Sequence, residues 1–489
     1  MDRLLGAAAV ALLLCACSPD RVRVDVTSEV INAGYIGNGA EWDPYDEAES
    51  WGCEIGDADW EKLFRRLDFM RPGFVRCMIN SPFSYFDDGK GYDRERHSAN
   101  LLRLLGYCQE KGIHVMYGEF NPPTWEMKDD QRWVDMSVGH LDWLVNEKGL
   151  SCIKEFVIFN EPDGNWASTN GDYGLWLSMA RRFTGKMAEY PGLAGKVRLA
   201  APDVVVNYRN DASPYDFTGW VERTAADFDE GTGLYDVHAY PGQRLVRSGE
   251  FAQTLRELRA KVPADKKIVL GEAGYKYFSD PADSLLAQEY RRRVEQCPFT
   301  RGSDCNMLCG DYFYGLDLPL LAMEVMNNGF SAVAVWMLDD AMHTNWDSGV
   351  PEDVKIWGFW NILGEEIFGD ASLEEPKLPW YSWSLMCRYF PQGCDILRIA
   401  AGQGTDYRIS AATKDGRTTV AIVNFGETDR RFKISLPVAL VDGVKYIYGE
   451  NGPERDADGL PAPVETGICG KKMALDVPAG SFVLISDMD

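Results

Sequence analysis

Short apolar runs alternate along this chain with longer stretches in which apolar residues return every three or four positions. The runs read as buried strands, because a strand covered on both faces has no polar side to show. Eight follow one another: INAGYIG (31–37), GFVRCMI (73–79), IHVMYGE (113–119), IKEFVIFN (153–160), VRLAAPDVV (197–205), YDVHAY (235–240), KIVLGE (267–272) and SAVAVWML (331–338). The stretches between them read as amphipathic helices. DADWEKLFRRLDFM sets Trp60, Phe64 and Leu67 on one face, SANLLRLLGYCQEKG opens on a capping Ser98 and stops at Gly112, and DYGLWLSMARRFTGKMAEY follows the fourth run. Eight strand–helix units over about 350 residues match a (β/α)8, or TIM, barrel enlarged by loops. An open doubly wound sheet is the alternative, but no Gly-rich phosphate loop follows the first run.

From Cys394 the period changes to two. YRISAATKDGRTTVAIVNF carries Asp415-Gly416 between two strand-like runs, a hairpin signal, and RRFKISLP, KYIYGE and MALDVPAGSFVLI follow. The organisation expected is therefore a catalytic-scale barrel at 31–393 and an antiparallel β-sandwich domain at 394–489. The segment 18–30 contains VRVDVTSEV, which alternates with period two and is able to add a strand to the second domain. No repeat or low-complexity linker separates the two, so they are expected to pack together.

The first 17 residues read as an export signal: Arg3, then an apolar stretch from Leu4 to Leu14. Leu14-Cys15-Ala16-Cys17 resembles a bacterial lipoprotein cleavage box, which makes Cys17 the lipidated first residue of a protein of the cell envelope, anchored to the outer membrane; Asp2 weakens the basic start and leaves plain secretion open. No later segment is apolar for long enough to span a bilayer. Ten further cysteines then face an oxidising compartment. Local disulfides are the preferred reading for Cys297, Cys305 and Cys309 and for Cys387 and Cys394, with a zinc site as the alternative.

The formal net charge of -25 argues against nucleic acid or an anionic membrane surface as partner. A neutral ligand fits better, and 12% aromatic residues suit one with flat apolar faces.

In a barrel, chemistry gathers where strands end. Arg76 lies near the end of the second run, Glu119 ends the third, Asn160 and Glu161 follow the fourth, His238 and Tyr240 close the sixth, Glu272 ends the seventh and Trp336 lies in the eighth. A carboxylate at the lip of a buried strand is costly unless something uses or pairs it. Taken together, Asn160-Glu161-Pro162, His238-x-Tyr240 and Glu272 at these strand ends resemble the clan A retaining glycoside hydrolases, particularly families 5, 30 and 39, and the appended β domain inclines the likeness toward 30 and 39. The resemblance implies Glu161 as general acid/base, Glu272 as nucleophile, Asn160 on the sugar 2-hydroxyl, Tyr240 and Arg76 as partners of Glu272, His238 orienting the pair and Trp336 as the floor beneath the sugar. No cofactor and no required metal are expected.

Each residue also has a bland reading. Asn-Glu-Pro occurs in ordinary loops, Glu272 could pair with Lys276 or an arginine, Arg76 could serve a plain salt bridge and His238 could be a satisfied core histidine. Glu119 and Asp339 rival the two chosen acids and are read as substrate contacts or structural acids. Asn121 and Trp125 in MYGEFNPPTWEM, and Glu41, Trp42 and Trp51 in GNGAEWDPYDEAESWG, are read as sugar contacts, with a packed loop as the alternative for the second stretch. Trp166 and Trp346 also fall near the expected loops, and DDGKGYD faintly suggests a cation loop. A carbohydrate-binding protein that has kept the scaffold, or a barrel enzyme of other chemistry, are the competing functional readings.

Overall fold

The computed structural model describes residues 20–277, 284–297, 305–345 and 348–488. The leader with Cys17 and Trp346 lie outside these. Eight parallel strands close into a barrel: β2 (Gly37–Glu41), β3 (Phe74–Ile79), β4 (His114–Glu119), β5 (Ile153–Val157), β6 (Arg198–Val205), β7 (Thr232–Ala239), β8 (Ile268–Ala273) and β9 (Ala332–Val335), with β9 pairing back to β2. A helix follows each: α1 (Asp57–Met70), α2 (Ser98–Lys111), α3 (Gln131–Asp142), α4 (Tyr173–Ala188), α5 (Phe217–Phe228), α6 (Glu250–Lys261), α7 (Tyr314–Asn327) and α8 (Leu378–Tyr389). Several start on an Asp whose carboxylate accepts a free backbone N–H: Asp130 from Arg132, Asp172 from Leu175 and Asp216 from Gly219.

Seven of the eight expected strands fall where their apolar runs lie; the first does not. INAGYIG spans the end of one strand and a turn, and the barrel strand is the next segment, Gly37-Asn38-Gly39-Ala40-Glu41, which hydrophobicity alone passes over. Its glycines answer a contact. A Cβ built on Gly39 would stand 1.6 Å from the carbonyl oxygen of Phe74 on β3.

The interior of the barrel is apolar toward the N-terminal ends of its strands, where Ile36, Phe74, Met116, Val157, Ala200, Leu234, Val269 and Ala332 form one cluster. Side chains two positions on share the face. After Phe74 comes Arg76, and after Leu234 come Asp236 and His238, so the same alternation that packs the floor carries charge to the upper rim.

The second unit is a seven-stranded, largely antiparallel sheet in which β1 (Asp20–Asn32) takes part: the order is β1, β10 (Asp395–Ala401), β11 (Tyr407–Lys414), β12 (Arg417–Asn424), β15 (Ser481–Ser486), β13 (Arg430–Tyr448), β14 (Glu465–Val477). Asp415 and Gly416, both at positive φ, make the two-residue turn between β11 and β12. The long β13 pairs β1 over Arg430–Ser435, β14 from Arg430 to Lys445 with shifts of register, and β15 through its last five residues, so the sheet bends round its own core of Val24, Ile422, Phe432, Leu475 and Val483. Helix α7 is buried at every position from Tyr314 to Met326 and lies against both the barrel and this sheet. Asn327 donates to the carbonyl of Ile409, and Arg408 pairs with Glu324 at 2.6 Å.

The expected disulfides are not formed: all ten cysteines among the described residues are free thiols. Four of the five clustered thiols have other company. Cys305 faces Asn345 Oδ1 at 3.6 Å, Cys309 faces Lys377 Nζ at 3.6 Å, and Cys387 and Cys394 both lie beside Tyr35 in the core.

Candidate active site

Arg76 stands at the centre of the rim, wholly buried. Its Nη1 donates to Glu41 Oε2 at 2.6 Å and to Glu272 Oε2 at 3.0 Å; its Nη2 donates to Asn160 Oδ1 at 2.6 Å and lies 3.5 Å from Asp203 Oδ2. Burial opposes its charge, yet the carboxylates of Glu41, Asp203 and Glu272 overcome this and hold the guanidinium firmly protonated.

His238 is the second hub, also without exposure. Nδ1 lies 3.0 Å from Glu161 Oε1 and 3.6 Å from Glu272 Oε2, and Nε2 lies 3.1 Å from Asp203 Oδ1. Burial disfavours the imidazolium, but Asp203 and Glu272 outweigh it and raise the pKa well above the usual histidine range. Both ring nitrogens therefore donate. Asp203 answers in kind: burial would raise it, but His238 and Arg76 hold its carboxyl well below the ordinary range. Asp236 is pushed well up by burial and by Asp203. A protonated Asp236 that donates to Asp203 accounts for its Oδ2, which no donor reaches, while its Oδ1 accepts Gly271 N–H at 2.7 Å.

Glu272 accepts the Tyr240 hydroxyl on Oε1 and Arg76 on Oε2. Its pKa is raised, by burial first and by Glu161, and His238, Arg76 and Tyr240 offset only part of that rise. Glu161, in the left-handed region at φ 49°, turns back over the barrel; its N–H donates to Asp203 at 3.0 Å and its Oε2 accepts Trp166 Nε1–H at 2.7 Å. One carboxylate oxygen of Glu161, one of Glu272 and a nitrogen of His238 lie within 4.8 Å of one another. Those three residues, or Asp203, Asp236 and His238, could hold a cation by spacing alone. Arg76 and a protonated His238 already supply the positive charge there.

Trp336 is 6% exposed and packs parallel to the His343 ring at 5.5 Å, with Phe120 edge-on to both. His343 is clamped by Asp43 at 2.6 Å and Glu47 at 3.1 Å. Trp125, Trp166 and the half-buried Asn121 reach the surface near this rim.

Several sequence expectations are corrected by burial. Trp42 is a core residue between Trp60 and Tyr107, at 6.2 and 5.9 Å, and forms no wall. Glu41 has no exposure and serves Arg76 from behind. Glu119 is enclosed by four donors, Ser81, Tyr85, Trp133 and Ser137, so it ties loops together and meets no ligand. Asp339 accepts from Tyr45, Trp360, Ala341 and Ile362 in the same manner, so of the two readings given to these acids the structural one holds for both. Asp87 of the DDGKGYD stretch caps the N–H groups of Gly89 and Lys90 within a tight turn. Sequence reasoning missed Asp203, Asp236, Asp43, Glu47 and His343. Asp203 carried a readable signal, an acid inside the fifth apolar run.

No protein-family model matches this chain, and no curated protein matches it. Solved structures do share its fold. The catalytic domain of GH30 xylanase C from Talaromyces cellulolyticus superposes with a TM-score of 0.62 at 12% identity, over 95% of this chain and 99% of that one. A glucosidase from Croceicoccus marinus gives 0.62 at 12% identity, over 95% and 98%. A GH39 β-xylosidase from Caulobacter crescentus gives 0.56 at 12% identity, over 96% and 100%. What this likeness establishes is the joint architecture of barrel and β domain.

Proposed function

We propose that this protein is a retaining glycoside hydrolase that cleaves β-glycosidic bonds of a polysaccharide or oligosaccharide, with Glu272 as nucleophile and Glu161 as acid/base. One observation carries the reading: two carboxylates on strand ends of one rim approach within 4.8 Å, one gripped by a buried arginine and a tyrosine and the other bonded to an imidazole. Retaining chemistry needs carboxyls about 5–5.5 Å apart, whereas inverting chemistry needs room for a water between them, about 6.5–9.5 Å. The xylanase, xylosidase and glucosidase that share the fold agree with it.

In the first step Glu272 attacks the anomeric carbon while the glycosidic oxygen takes a proton from Glu161, and the leaving alcohol departs. Forming the ester removes one negative charge beside Arg76 and His238. A water then attacks the same carbon, gives its proton to Glu161 and releases Glu272 as carboxylate. Glu161 receives the Nδ1 proton of His238 through their hydrogen bond as it gives one to the glycosidic oxygen, and the proton that it later takes from water returns to His238 by the same bond, while Nε2–H stays with Asp203. Tyr240 and Arg76 hold Glu272 in line, and Trp336 supplies an apolar face for the sugar.

The test is sugar release from a panel of aryl β-glycosides and polysaccharides by the wild-type protein and by Glu272→Gln. Release that disappears in the variant supports the reading and identifies the sugar; equal release from both removes Glu272 as nucleophile. Glu161→Ala with an activated aryl glycoside should accumulate the glycosyl enzyme and recover turnover with azide. The leader belongs to the same proposal, an exported protein tethered at Cys17, checked by fatty-acid labelling that Cys17→Ser abolishes.

A further inference from the structure

The loop after β5 holds a tryptophan in an unusual way. Trp166 is 42% exposed, yet three contacts fix its indole. Its Nε1–H donates to Glu161 Oε2 at 2.7 Å. Its ring lies against the backbone of Gly164, where a Cβ would come within 2.4 Å of Trp166 Cε2, so only glycine lets the indole fold back. The Tyr208 ring, from the segment after β6, braces it at 4.6 Å between centroids. An exposed indole normally gains by burying its faces. This one is immobilised with much of its surface in water, which suits a surface awaiting a ligand.

Its position relative to the two acids gives that ligand a place. Glu161 shows Oε1 to His238 and, through it, to Glu272; it shows Oε2 to Trp166. On the glycosidase reading, the sugar attacked by Glu272 lies on the first side. The group that departs with the proton of Glu161 lies on the other. We infer that Trp166, braced by Tyr208, is the specificity-determining residue for the leaving group and selects a flat apolar partner, the C–H face of a second pyranose or an aromatic aglycone, while its indole N–H positions the acid/base. This rests on the glycosidase reading.

The experiment compares Trp166→Ala and Trp166→Phe with wild type on phenyl and methyl β-glycosides of the sugar that wild type hydrolyses. In Trp166→Ala the preference for phenyl over methyl, as kcat/KM, should fall about tenfold, the size of a lost aromatic contact, and Trp166→Phe should recover most of it. An unchanged preference in Trp166→Ala overturns the inference while leaving the glycosidase reading intact. A second measurement is independent of turnover: the indole 15N–H resonance of Trp166, assigned by its loss in Trp166→Phe, should move in Glu161→Gln and shift saturably with phenyl glycosides but not methyl glycosides. A resonance indifferent to Glu161→Gln and to every phenyl glycoside overturns the inference, and a resonance that responds in a protein without turnover upholds the platform and overturns hydrolysis alone.

Discussion

Replacing Arg76 by methionine keeps its bulk and removes its charge. Four oxygens lie within 3.5 Å of its Nη atoms, three of them on the carboxylates of Glu41, Glu272 and Asp203. At 3.0 Å and an effective dielectric of 20, each close pair represents about 5 kcal/mol of attraction, offset in large part by the cost of burying the guanidinium. Removing one partner of such a set costs about 3–5 kcal/mol because the carboxylates stay behind uncompensated. For 489 residues the entropy of unfolding is about 1 kcal/mol/K, so the midpoint should fall about 3–5 °C near pH 7.5. The deficit must depend on pH. In wild type, Asp203 is held below its unfolded value and stabilises the fold above about pH 4, a contribution lost as pH falls through the depressed value. In Arg76→Met the acids left behind, of which burial already holds Glu41 and Glu272 above their unfolded values, rise further, which penalises the fold at neutral pH and ceases to do so below about pH 4. The two melting curves, followed by circular dichroism from pH 7.5 to 4.5, should therefore converge, and Arg76→Met/Glu41→Gln should recover part of the loss at pH 7.5. A deficit of equal size at both ends would mean that Arg76 acts by packing and would refute the charge argument.

Glu119→Ala should lower the melting midpoint by several degrees, since it strands Tyr85, Trp133 and Ser137 in the interior at about 1–3 kcal/mol each at most, while Trp125→Ala should leave it within about 1 °C; equal effects would reverse the assignment of core and rim. Asp203→Asn removes the largest stabiliser of the His238 imidazolium. That imidazolium stabilises the fold below the unfolded histidine pKa, about 6.5, and the contribution disappears as pH rises through the elevated folded value; NMR titration of His238 should show its midpoint lower in Asp203→Asn. Thiol titration of the denatured, unreduced protein should count at least the ten cysteines described as free, and a smaller count would show that some of them are paired.

What the sequence made legible follows from one physical contrast, a charge at the end of an apolar run. Arg76, Glu161, His238 and Glu272 stand out in that way, and the structure brings all four together. Asp236 was equally open to inference, since it lies two residues before His238 and must share its face. The first barrel strand was not, because its glycines are chosen for the approach of β3 and leave no hydrophobic mark. Trp42 misled for the opposite reason: an aromatic among Gly, Asp and Glu looks exposed until Trp60 and Tyr107, from α1 and α2, close over it. Thiols that looked like neighbours in sequence proved to have partners on other segments. Contacts that join distant parts of the chain leave the weakest trace in the order of residues.

The pairing of β1 carries a consequence for the order of assembly. This strand precedes the barrel in the sequence, yet its partners follow the barrel; Thr27 bonds to the carbonyl of Arg398, 371 residues later. Until both ends of the chain are in place, an extended strand with one apolar face has no mate. Its alternation fits the delay. Val22, Val24 and Val26 occupy one face while Arg21, Arg23 and Asp25 occupy the other, and charges so placed discourage an idle strand from pairing with a stranger. The sheet therefore closes only where the segments that flank the barrel meet, and the pairing of β1 ties the two ends of that barrel to each other.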